Sequence, residues 1–426
     1  MFDNKSLFPQ LTDVNSKEHL VIGGCDVTDL VGEFGTPLYI YDETTLRNRC
    51  REFVNEFRKR HTNSLVIYAC KAFINPAIAM LLQEEGLGLD VVSGGELSVA
   101  QRVEFPAEKI YFHGNNKSPD EIDMALDYGI GRFVIDNFHE ILLLSEAARR
   151  RGIVQDVLIR ISPSIDPHTH SYTTTGTLDS KFGFPIETGQ AEEAIIKTMA
   201  EKNLNLLGLH FHLGSPIFEL APYSKAIEVT LEFSKTVGLP LKELSPGGGF
   251  AISYTKNQVP PSVASYAEEI VSALGDNDPR LIIEPGRAIV GPAGIACYRV
   301  GGQKEIPGIR KYVSVDGGMG DNIRPALYQA AYEAVVANKM GLSEMERVSI
   351  AGKFCESGDI LLYDSLLPKL ESGDILAIPA SGAYAPSMAS NYNMAPRPPI
   401  IMVREGSARL IRRRETYQDL IRNDIF

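Results

Sequence analysis

The stretch Val66-Ile-Tyr-Ala-Cys-Lys-Ala-Phe-Ile-Asn75 is a run of apolar, β-prone residues that ends in one lysine, Lys71, before Asn75-Pro76 opens a predicted helix. Burial disfavours the charged form of a lysine. A lysine at the end of a buried strand is therefore often neutral, paired with an anion, or joined to a carbonyl as a Schiff base. The alternative is a lysine that has reached solvent beyond the strand. The rest of the sequence has to separate these readings.

Short apolar runs alternate with amphipathic stretches on both sides of this segment. The predicted strands are Leu65–Ala69, Leu87–Val92, Ile110–Phe112, Arg132–Ile135, Val157–Ile161, Leu206–His212, Glu243–Ser245 and Leu281–Ile283. The predicted helices include Glu121–Tyr128, Glu140–Arg151, Ala191–Glu201, Pro222–Val237 and Val263–Leu274. This alternation predicts an α/β fold of the (β/α)8 TIM-barrel type, with a doubly wound open sheet as the structural alternative.

Strand-like patterns return after the predicted barrel. They cover Tyr312–Val315, Arg347–Ile350, Asp374–Pro379, Ile400–Val403 and Ala408–Arg412, and the N-terminal segment adds Leu20–Ile22 and Pro37–Tyr41. We therefore expect a barrel over 45–292. A C-terminal β-domain, sandwich- or barrel-like, is expected from 293–426 together with the N-terminal strands of 1–44.

The composition excludes several functional classes. With 426 residues, 44% hydrophobic and 23% charged, the chain has the profile of a soluble globular protein, and its net charge of −12 argues against nucleic acid or an anionic membrane as the main partner. No signal peptide or transmembrane run is expected. The cysteines lie at positions 25, 50, 70, 297 and 355, without metal-type spacing. That scatter predicts a reducing, cytoplasmic location.

Polar residues follow the predicted barrel strands, and functional residues of such barrels lie at these C-terminal ends. In chain order they are Lys71, Asp90 with Ser93-Gly-Gly-Glu96, His113-Gly-Asn-Asn116, His210-Phe-His-Leu-Gly-Ser215, Ser245-Pro-Gly-Gly-Gly-Phe250 and Glu284-Pro-Gly-Arg287. Their shared placement predicts one site at the barrel mouth.

The glycine run Gly247, Gly248 and Gly249 offers backbone N–H groups to a phosphate without Cβ obstruction, and Arg287 offers a counter-charge. The alternative is a tight turn. A phosphate site together with a Schiff-base lysine predicts pyridoxal 5'-phosphate as cofactor. Glu284 would hold the pyridine nitrogen protonated, which favours decarboxylation over racemisation; the alternative is a carboxylate that only pairs with Arg287.

The pair His210 and His212, predicted on one face of a strand, has two interpretations. A zinc hydrolase uses a His-x-His pair, but strands 7 and 8 offer glycines and one glutamate instead of further ligands, so no metal is predicted. One histidine is expected to stack on the cofactor ring, and the sequence does not say which. Ser215 is expected to donate to the phosphate.

Further motifs extend this set over nearly the whole chain. They are Tyr68-Ala-Cys-Lys-Ala72, Asp90–Leu97, His168-Thr-His-Ser-Tyr-Thr-Thr-Thr-Gly176, Ser180-Lys-Phe-Gly183, Asp316-Gly-Gly-Met319, Ile323-Arg-Pro-Ala-Leu-Tyr328, Cys355-Glu-Ser-Gly-Asp359, Gly382-Ala-Tyr384 and Ser390-Asn-Tyr-Asn393. Together they resemble the fold type III pyridoxal-phosphate-dependent decarboxylases. The departures are Pro216 after Gly-Ser and Phe354 before Cys-Glu-Ser.

The resemblance implies a role for each matching residue. Lys71 and Cys355 would be catalytic, with Lys71 linked to the cofactor and Cys355 as the proton donor. The implied cofactor-binding residues are Lys71, Asp90, His210, His212, Ser215, Gly247, Gly248, Gly249, Glu284, Gly286, Arg287 and Tyr384. The implied substrate-binding residues are Arg287, Arg324, Tyr328, Glu356 and Tyr384. It also implies a homodimer with shared active sites, because the Cys355 and Glu356 loop would come from the partner subunit.

The charges predict the substrate. Arg287 and Arg324 suit bidentate capture of a distal carboxylate, and Glu356 suits a distal ammonium, so the expected substrate is a diamino dicarboxylic acid. We therefore predict decarboxylation of meso-2,6-diaminopimelate to L-lysine and carbon dioxide, the last step of lysine biosynthesis. The alternatives are a decarboxylase of ornithine, lysine or carboxynorspermidine, a racemase-like enzyme, which Glu284 opposes, and a catalytically silent homologue that binds a partner.

Overall fold

The computed structural model describes residues 4–165 and 179–425. In chain order the strands are β1 (Asp13–Val14), β2 (Leu20–Ile22), β3 (Cys25–Asp26), β4 (Leu38–Asp42), β5 (Ser64–Ala69), β6 (Gly88–Val91), β7 (Ile110–Phe112), β8 (Arg132–Ile135), β9 (Gln155–Ser162), β10 (Phe184–Pro185), β11 (Leu204–His210), β12 (Glu243–Gly247), β13 (Arg280–Ile283), β14 (Gly294–Ile306), β15 (Arg310–Val315), β16 (Val335–Val336), β17 (Met345–Ala351), β18 (Ile360–Pro368), β19 (Ile375–Ile378), β20 (Ile400–Arg404) and β21 (Ser407–Arg412).

The α-helices are α1 (Val27–Phe34), α2 (Glu43–Arg60), α3 (Pro76–Glu84), α4 (Gly94–Arg102), α5 (Pro119–Tyr128), α6 (Phe138–Arg151), α7 (Gln190–Ala200), α8 (Ala221–Thr236), α9 (Val263–Ser272), α10 (Arg287–Val290), α11 (Arg324–Tyr328), α12 (Ala385–Met388) and α13 (Tyr417–Ile421). Short 3-10 helices cover Lys5–Leu7, Cys70–Ala72, Ala107–Lys109 and Tyr392–Met394. Within the described ranges, no helix combines the length and apolar character needed to cross a membrane.

The chain divides into two compact units. The barrel unit comprises Arg49–Ala251 and Pro260–Gly286, and the β-unit comprises Met1–Asn48, Ile252–Val259 and Arg287–Phe426. The domain boundaries expected from the sequence, 45–292 against 1–44 and 293–426, stay a prediction.

Parallel strands close the barrel unit into a ring. The pairing runs β5-β6-β7-β8-β9-β11-β12-β13, and β13 pairs with β5 to complete the circle. The short strand β10 pairs with β9 outside this ring. This closed ring of parallel strands confirms the predicted (β/α)8 barrel. Parallel neighbouring strands need crossover connections, and the sequence supplies a helix between most of them.

Local sequence sets the starts of the barrel helices. Asn75 accepts a hydrogen bond from the Ile78 N–H at 2.9 Å and Pro76 takes the first helical position of α3, as the sequence predicted. At α5, Ser118 and Glu121 form a reciprocal capping box. Each cap satisfies N–H groups that the helix itself leaves without partners. Replacing such a cap by Ala typically costs about 1 kcal/mol.

Side chains from most of the strands fill the barrel interior. The buried cluster comprises Ile67, Tyr111, Val134, Leu158, Leu207 and Ile282, which lie on β5, β7, β8, β9, β11 and β13. The N-terminal strand ends carry a buried ionic group around Glu243, whose Oε1 is 2.8 Å from Arg132 Nη2 and 3.5 Å from Arg280 Nη1. The barrel is therefore packed and closed at the end opposite the predicted site.

The β-unit contains a mixed sheet in the order β18-β17-β15-β14-β4-β20-β21, and β19 pairs with β14. The N-terminal strand β4 lies between β14 and β20, which confirms that the first part of the chain joins the C-terminal sheet. The core of this unit draws from both chain ends, including Leu20, Ile40, Ile295, Ala377 and Val403. A small sheet of β1, β2 and β3 completes the unit.

The two longest strands of the β-unit have no counterpart in the sequence prediction. Strand β14 is 13 residues long and β18 is nine residues long. Each has a mixed exposure pattern, because β14 pairs with three different strands along its length and β18 lies at the sheet edge. A simple alternation of apolar and polar residues is therefore missing in both.

Candidate active site

The barrel residues predicted for the site lie where strands end, at the C-terminal side of the barrel. Asp90 is in β6, His210 ends β11, Ser245 is in β12 and Glu284 follows β13. Asp90, His210 and Glu284 are each no more than 5% exposed. The fold thus buries several titratable side chains at one end of the barrel, which is typical of a catalytic site.

Lys71 lies beyond the end of its strand, whereas the sequence suggested that it closes the strand. Strand β5 ends at Ala69, and Lys71 is in the 3-10 helix Cys70–Ala72 with an exposed side chain. Its charge still acts on the buried residues, because it opposes the rise that burial produces in the pKa of Asp90. The Lys71 side chain is therefore exposed at the barrel end, and its charge still acts on the buried residues of the site.

Glu284 is the centre of the buried group. Its Oε2 is 3.2 Å from His210 Nε2, its Oε1 accepts a hydrogen bond from Ser245 Oγ at 2.7 Å, and the same Oε1 is 3.6 Å from His113 Nε2. Burial raises the pKa of Glu284, but His210, His113 and the hydrogen bonds from His210 and Ser245 together hold that pKa well below its ordinary value. Glu284 is therefore an anion in an apolar setting.

His113 directly follows the third barrel strand in the sequence, and no role was predicted for it. Its Nε2 is 3.7 Å from Asp90 Oδ1, and its ring meets the His210 ring edge-on at 4.9 Å between centroids. Burial lowers the pKa of both histidines, and the Glu284 carboxylate opposes that effect. The only sequence signal for His113 was its position after a strand.

The structure separates the two histidines of the His-x-His pair. Strand β11 ends at His210, so the expectation that both histidines lie on one strand is wrong for His212. His210 contacts Glu284, whereas His212 Nδ1 accepts a hydrogen bond from the Gly248 N–H at 3.3 Å. Burial lowers the pKa of His212 well below its ordinary value.

The glycine run after β12 packs too closely for side chains. A Cβ on Gly247 would lie 2.7 Å from the Phe211 carbonyl oxygen, one on Gly248 would lie 2.1 Å from the Glu284 carbonyl oxygen, and one on Gly249 would lie 2.4 Å from the Gly214 carbonyl oxygen. Gly247 and Gly249 also have φ angles of +76° and +100°. Glycine is thus required where this loop passes the chain that carries Glu284.

The predicted arginines lie in the β-unit, with a set of tyrosines around them. Arg287, on α10, donates from Nη1 to Tyr254 Oη at 2.5 Å, and its guanidinium carbon lies 4.7 Å from the centre of the Tyr384 ring. Arg324, on α11, donates to Tyr332 Oη and lies 4.5 Å from the Tyr254 ring centre. Both arginines are buried. Sequence reasoning missed Tyr254 and Tyr332, for which no local pattern signalled a function.

The loop that carries Cys355 is held by backbone hydrogen bonds. Asp359 accepts from the Met319 N–H at 2.6 Å and from the Phe354 N–H at 2.8 Å, and Asn393 accepts from the Cys355 N–H at 3.0 Å. Cys355 is exposed. Asp359 and Asn393 belong to motifs quoted from the sequence, and the structure shows that they position this loop.

The remaining predicted residues are placed as follows. Tyr328 and Tyr384 are half-buried in the β-unit, and Glu356 is exposed beside Cys355. Ser215 is half-buried and Gly286 is buried, where a Cβ would lie 3.0 Å from Ala69. The stretch His168–Gly176 lies outside the described residues.

Comparison with known proteins decides the family. Residues 43–291 match the family model described as pyridoxal-dependent decarboxylase, pyridoxal binding domain. The diaminopimelate decarboxylase of Bacillus subtilis (strain 168) is 48% identical over 422 residues, which cover 96% of each chain. The chain belongs to the diaminopimelate decarboxylase family.

Solved structures agree with this assignment to the diaminopimelate decarboxylase family. The crystal structure of the M. jannaschii diaminopimelate decarboxylase in complex with L-lysine matches with a TM-score of 0.92 at 36% identity, over 100% of this chain and 99% of that chain. The Helicobacter pylori diaminopimelate decarboxylase complexed with L-lysine matches with a TM-score of 0.87 at 34% identity, over 93% and 98% of the chains. The resemblance inferred from the sequence motifs is confirmed.

The barrel residues fit the pyridoxal phosphate on which the family depends. An ionised, buried Glu284 suits a protonated pyridine nitrogen, because opposite charges stabilise each other where water is excluded. The glycine run leaves backbone in place of side chains where a phosphate would approach. Gly247 and Gly248 direct their N–H groups to Ser245 Oγ and His212 Nδ1, so part of this run serves the fold itself.

The same cluster also has metal-ligand chemistry. Among the described residues, His113, His210 and Glu284 offer ligand atoms that lie within 4.8 Å of one another. His212 is not part of this set, so the His-x-His pair does not act as a unit. The absence of a metal stays a prediction, and Glu284 has the cofactor nitrogen as its expected partner in this family.

Proposed function

We propose that this protein catalyses the decarboxylation of meso-2,6-diaminopimelate to L-lysine and carbon dioxide, the last step of lysine biosynthesis, with pyridoxal 5'-phosphate as cofactor. The identity of 48% to a named diaminopimelate decarboxylase over almost the full chain supports the activity. The observation that supports the choice of substrate is the pair of buried arginines, Arg287 and Arg324, which both contact one tyrosine. Two buried guanidiniums suit a substrate with a carboxylate far from its reacting carbon.

The barrel residues hold the cofactor in this proposal. Lys71 would anchor the cofactor through its amine, His212 would pack against it, and Glu284 would pair with its pyridine nitrogen, supported by His210 and Ser245. The residues that would hold the phosphate and line its surroundings are Gly247, Gly248, Gly249, Ser215, Gly286, Arg287 and Tyr384, and Asp90 would line the site. The chemistry that pyridoxal phosphate supplies when bound is an acceptor for the electron pair released as carbon dioxide leaves.

His212 is a better candidate than His210 for the stacking role. The His210 ring is already engaged with Glu284 through Nε2 at 3.2 Å. His212 instead touches the glycine run through Nδ1, which places its ring proton on Nε2. Burial keeps His212 neutral, so its face carries no full charge toward the cofactor.

The remaining roles concern the substrate. Arg287 and Arg324 bind the distal carboxylate, Glu356 binds the distal ammonium, and Tyr328 and Tyr384 complete the pocket. Cys355 delivers a proton to the carbon that has lost carbon dioxide, a step that needs the protonated thiol at that moment. Asp359 and Asn393 accept hydrogen bonds from the N–H groups of this loop, which keeps Cys355 in a defined position.

We further propose a cytoplasmic homodimer in which Cys355 and Glu356 of one subunit complete the active site of the other. The exposed position of both residues in the single chain supports this arrangement, because a proton donor for a water-excluded reaction has to be covered. None of the described cysteines forms a disulfide bond, which supports a reducing compartment.

Carbon dioxide release from meso-diaminopimelate, its L,L isomer, lysine and ornithine, measured in parallel, tests the proposal. We expect release from meso-diaminopimelate at far higher kcat/KM than from the other three compounds. Comparable release from lysine or ornithine would falsify the substrate assignment, and no release from any of them would contradict the activity.

A further inference from the structure

Two arginines and three tyrosines of the β-unit form an alternating stack. The order is Tyr384, Arg287, Tyr254, Arg324, Tyr332, with each guanidinium carbon between two ring centres. Arg287 lies 4.7 Å from Tyr384 and 5.7 Å from Tyr254, and Arg324 lies 4.5 Å from Tyr254 and 5.5 Å from Tyr332. Cation–π contact of this kind is favourable when the groups are desolvated, and both arginines are buried.

Tyr254 occupies the middle of the stack and touches both cations. Its hydroxyl accepts a hydrogen bond from Arg287 Nη1 at 2.5 Å and also interacts with Arg324. The outer tyrosine, Tyr332, accepts from Arg324 Nη1 and meets the Tyr254 ring edge-on at 5.2 Å. One phenolic oxygen therefore gathers two guanidiniums that lie 37 positions apart in the sequence.

Two buried cations repel each other unless negative charge lies between them. Burial raises the pKa of Tyr254, but Arg287 and Arg324 outweigh burial and lower the pKa below its ordinary value. At Tyr332, by contrast, burial prevails and the pKa is raised. The Tyr254 hydroxyl is thus more acidic than an ordinary phenol, and its oxygen lies against both guanidiniums, whereas the Tyr332 hydroxyl is less acidic.

We propose that Tyr254 is a specificity-determining residue that holds Arg287 and Arg324 side by side, so that the two guanidiniums receive the distal carboxylate of the substrate as one site. The inference rests on the proposed function, in which these arginines bind that carboxylate. A guanidinium has five N–H donors in a fixed fork, so one arginine can contact a phenol and a carboxylate at the same time. The positioning role belongs to the Tyr254 hydroxyl and the stacking role to its ring.

The two roles separate in the variant Tyr254→Phe, which keeps the ring and removes the hydroxyl. We expect the KM for meso-diaminopimelate to rise about tenfold, the effect of losing a hydrogen bond to a charged group, with kcat changed less than about twofold. The matched control is Tyr363→Phe in the same unit, where an exposed tyrosine ring stacks on Arg310 at 5.6 Å. That control is expected to leave KM unchanged.

D-Lysine provides the substrate comparison. Because L-lysine retains the L centre of meso-diaminopimelate, the carboxylate that leaves is at the D centre, and D-lysine is the substrate skeleton without the distal carboxylate. The inhibition constant of D-lysine is expected to be the same for the wild type and Tyr254→Phe. An equal loss of D-lysine binding would mean that the hydroxyl serves the whole pocket, and an unchanged KM for meso-diaminopimelate would mean that it does not position the arginines; either result overturns the proposal.

A second measurement uses a double-mutant cycle with Arg324→Lys. If Tyr254 acts through Arg324, the double variant Tyr254→Phe/Arg324→Lys has a KM close to that of Arg324→Lys alone, whereas independent effects would multiply and contradict the proposal. Cooperative unfolding and cofactor absorbance establish that each variant is folded and loaded. If Tyr254→Phe does not fold, Tyr254→His, which keeps a ring and a hydrogen-bonding atom, replaces it and is expected to raise the KM for meso-diaminopimelate while leaving D-lysine inhibition unchanged.

Failure of this inference is distinguishable from failure of the proposed function. A wild type that releases no carbon dioxide from meso-diaminopimelate contradicts the function. A wild type that is active while Tyr254→Phe has the wild-type KM contradicts only the role of Tyr254.

Discussion

Asp90 and Glu284 show how neighbouring groups set the protonation of buried carboxylates. Burial raises the pKa of Asp90 well above its ordinary value despite the opposing Lys71 charge. Glu284 is equally buried, yet the electrostatic attraction of His210 and His113, with hydrogen bonds from His210 and Ser245, holds its pKa low. When two carboxylates in one site have widely different pKa values, they can take different roles in the reaction. Here the ionised one is the residue expected to meet the pyridine nitrogen.

At the residue scale, the proposed substrate depends on Arg324. Replacing Arg324 by Ala is expected to lower kcat/KM for meso-diaminopimelate by about 10- to 100-fold, mainly through KM, because hydrogen bonds to a charged group are lost. Steady-state carbon dioxide release measures this. The control Arg310→Ala removes a partly exposed arginine that pairs with Asp364 in the same unit and is expected to have no effect. Unchanged turnover in Arg324→Ala would sink the substrate assignment.

Asp321, three residues before Arg324, is predicted to make stability depend on pH. Its Oδ2 accepts from the Gly318 N–H at 3.0 Å, and burial raises its pKa from 3.8 to about 7. The folded state therefore binds the proton more tightly than the unfolded state, so the stabilisation is fully present below about pH 4 and is lost as pH rises through about 7. Across this range the loss is about 4 kcal/mol.

The isosteric variant Asp321→Asn isolates this effect. Urea unfolding of the wild type and the variant between pH 4 and pH 8 is expected to show the wild type losing about 4 kcal/mol relative to the variant. Parallel pH profiles for the two proteins would show that Asp321 does not titrate in this range.

At the scale of elements, the two ends of the barrel strands have different roles. The C-terminal ends carry the candidate site, whereas at the N-terminal ends buried Glu243 pairs with the partly exposed Arg132 and Arg280. The same alternation of strand and helix that the sequence reveals places these groups at opposite ends of parallel strands. Changes at the N-terminal ends are therefore expected to affect stability and leave catalysis intact.

Replacing Glu243 by Gln tests this division. The variant removes the charge of buried Glu243 while Asp156 still pairs with Arg132 at 2.9 Å. It is expected to lower the free energy of unfolding by about 2 kcal/mol, measured by urea denaturation. Its kcat and KM should match the wild type below the unfolding transition. The control Glu146→Gln breaks an exposed pair with Arg149 and is expected to leave stability unchanged. Loss of activity in the folded Glu243→Gln variant would contradict a purely structural role.

At the scale of the whole molecule, the proposal requires two chains for one reaction. Lys71 belongs to the barrel unit and Cys355 to the β-unit. If the Cys355 loop serves the partner subunit, each active site takes one of these residues from each chain. A twofold-symmetric dimer then contains two equivalent sites of mixed origin.

Hybrid dimers test this arrangement directly. Lys71→Ala and Cys355→Ala subunits, each inactive as a homodimer, are co-expressed with different tags and purified through both. The hybrid contains one intact site and one doubly altered site, so about half of the wild-type activity per dimer is expected. A hybrid no more active than its parent homodimers would contradict shared sites, and cross-linking of the hybrid checks that both chains are present.

The sequence by itself determined the elements and the family. The alternation of apolar runs with amphipathic stretches predicted the barrel strands, and Asn75-Pro76 predicted the start of α3, because both signals are local and repeat with the period of the structure. Glycines 247 to 249 marked a close backbone approach. Long strands such as β14 were missed because their exposure follows their pairing partners, which local periodicity does not encode.

Only the tertiary structure decided which side chains meet. His210 and His212 have different partners, since His210 and Ser245 bind Glu284 while His212 binds the glycine run. Tyr254 connects Arg287 with Arg324. All of these contacts join segments that are distant in the sequence. Hydrogen bonds and pKa shifts act over a few ångströms, so they follow from the folded positions of atoms and not from spacing along the chain. Tyr254 has no motif around it, and its position between two buried cations alone makes it a candidate for function.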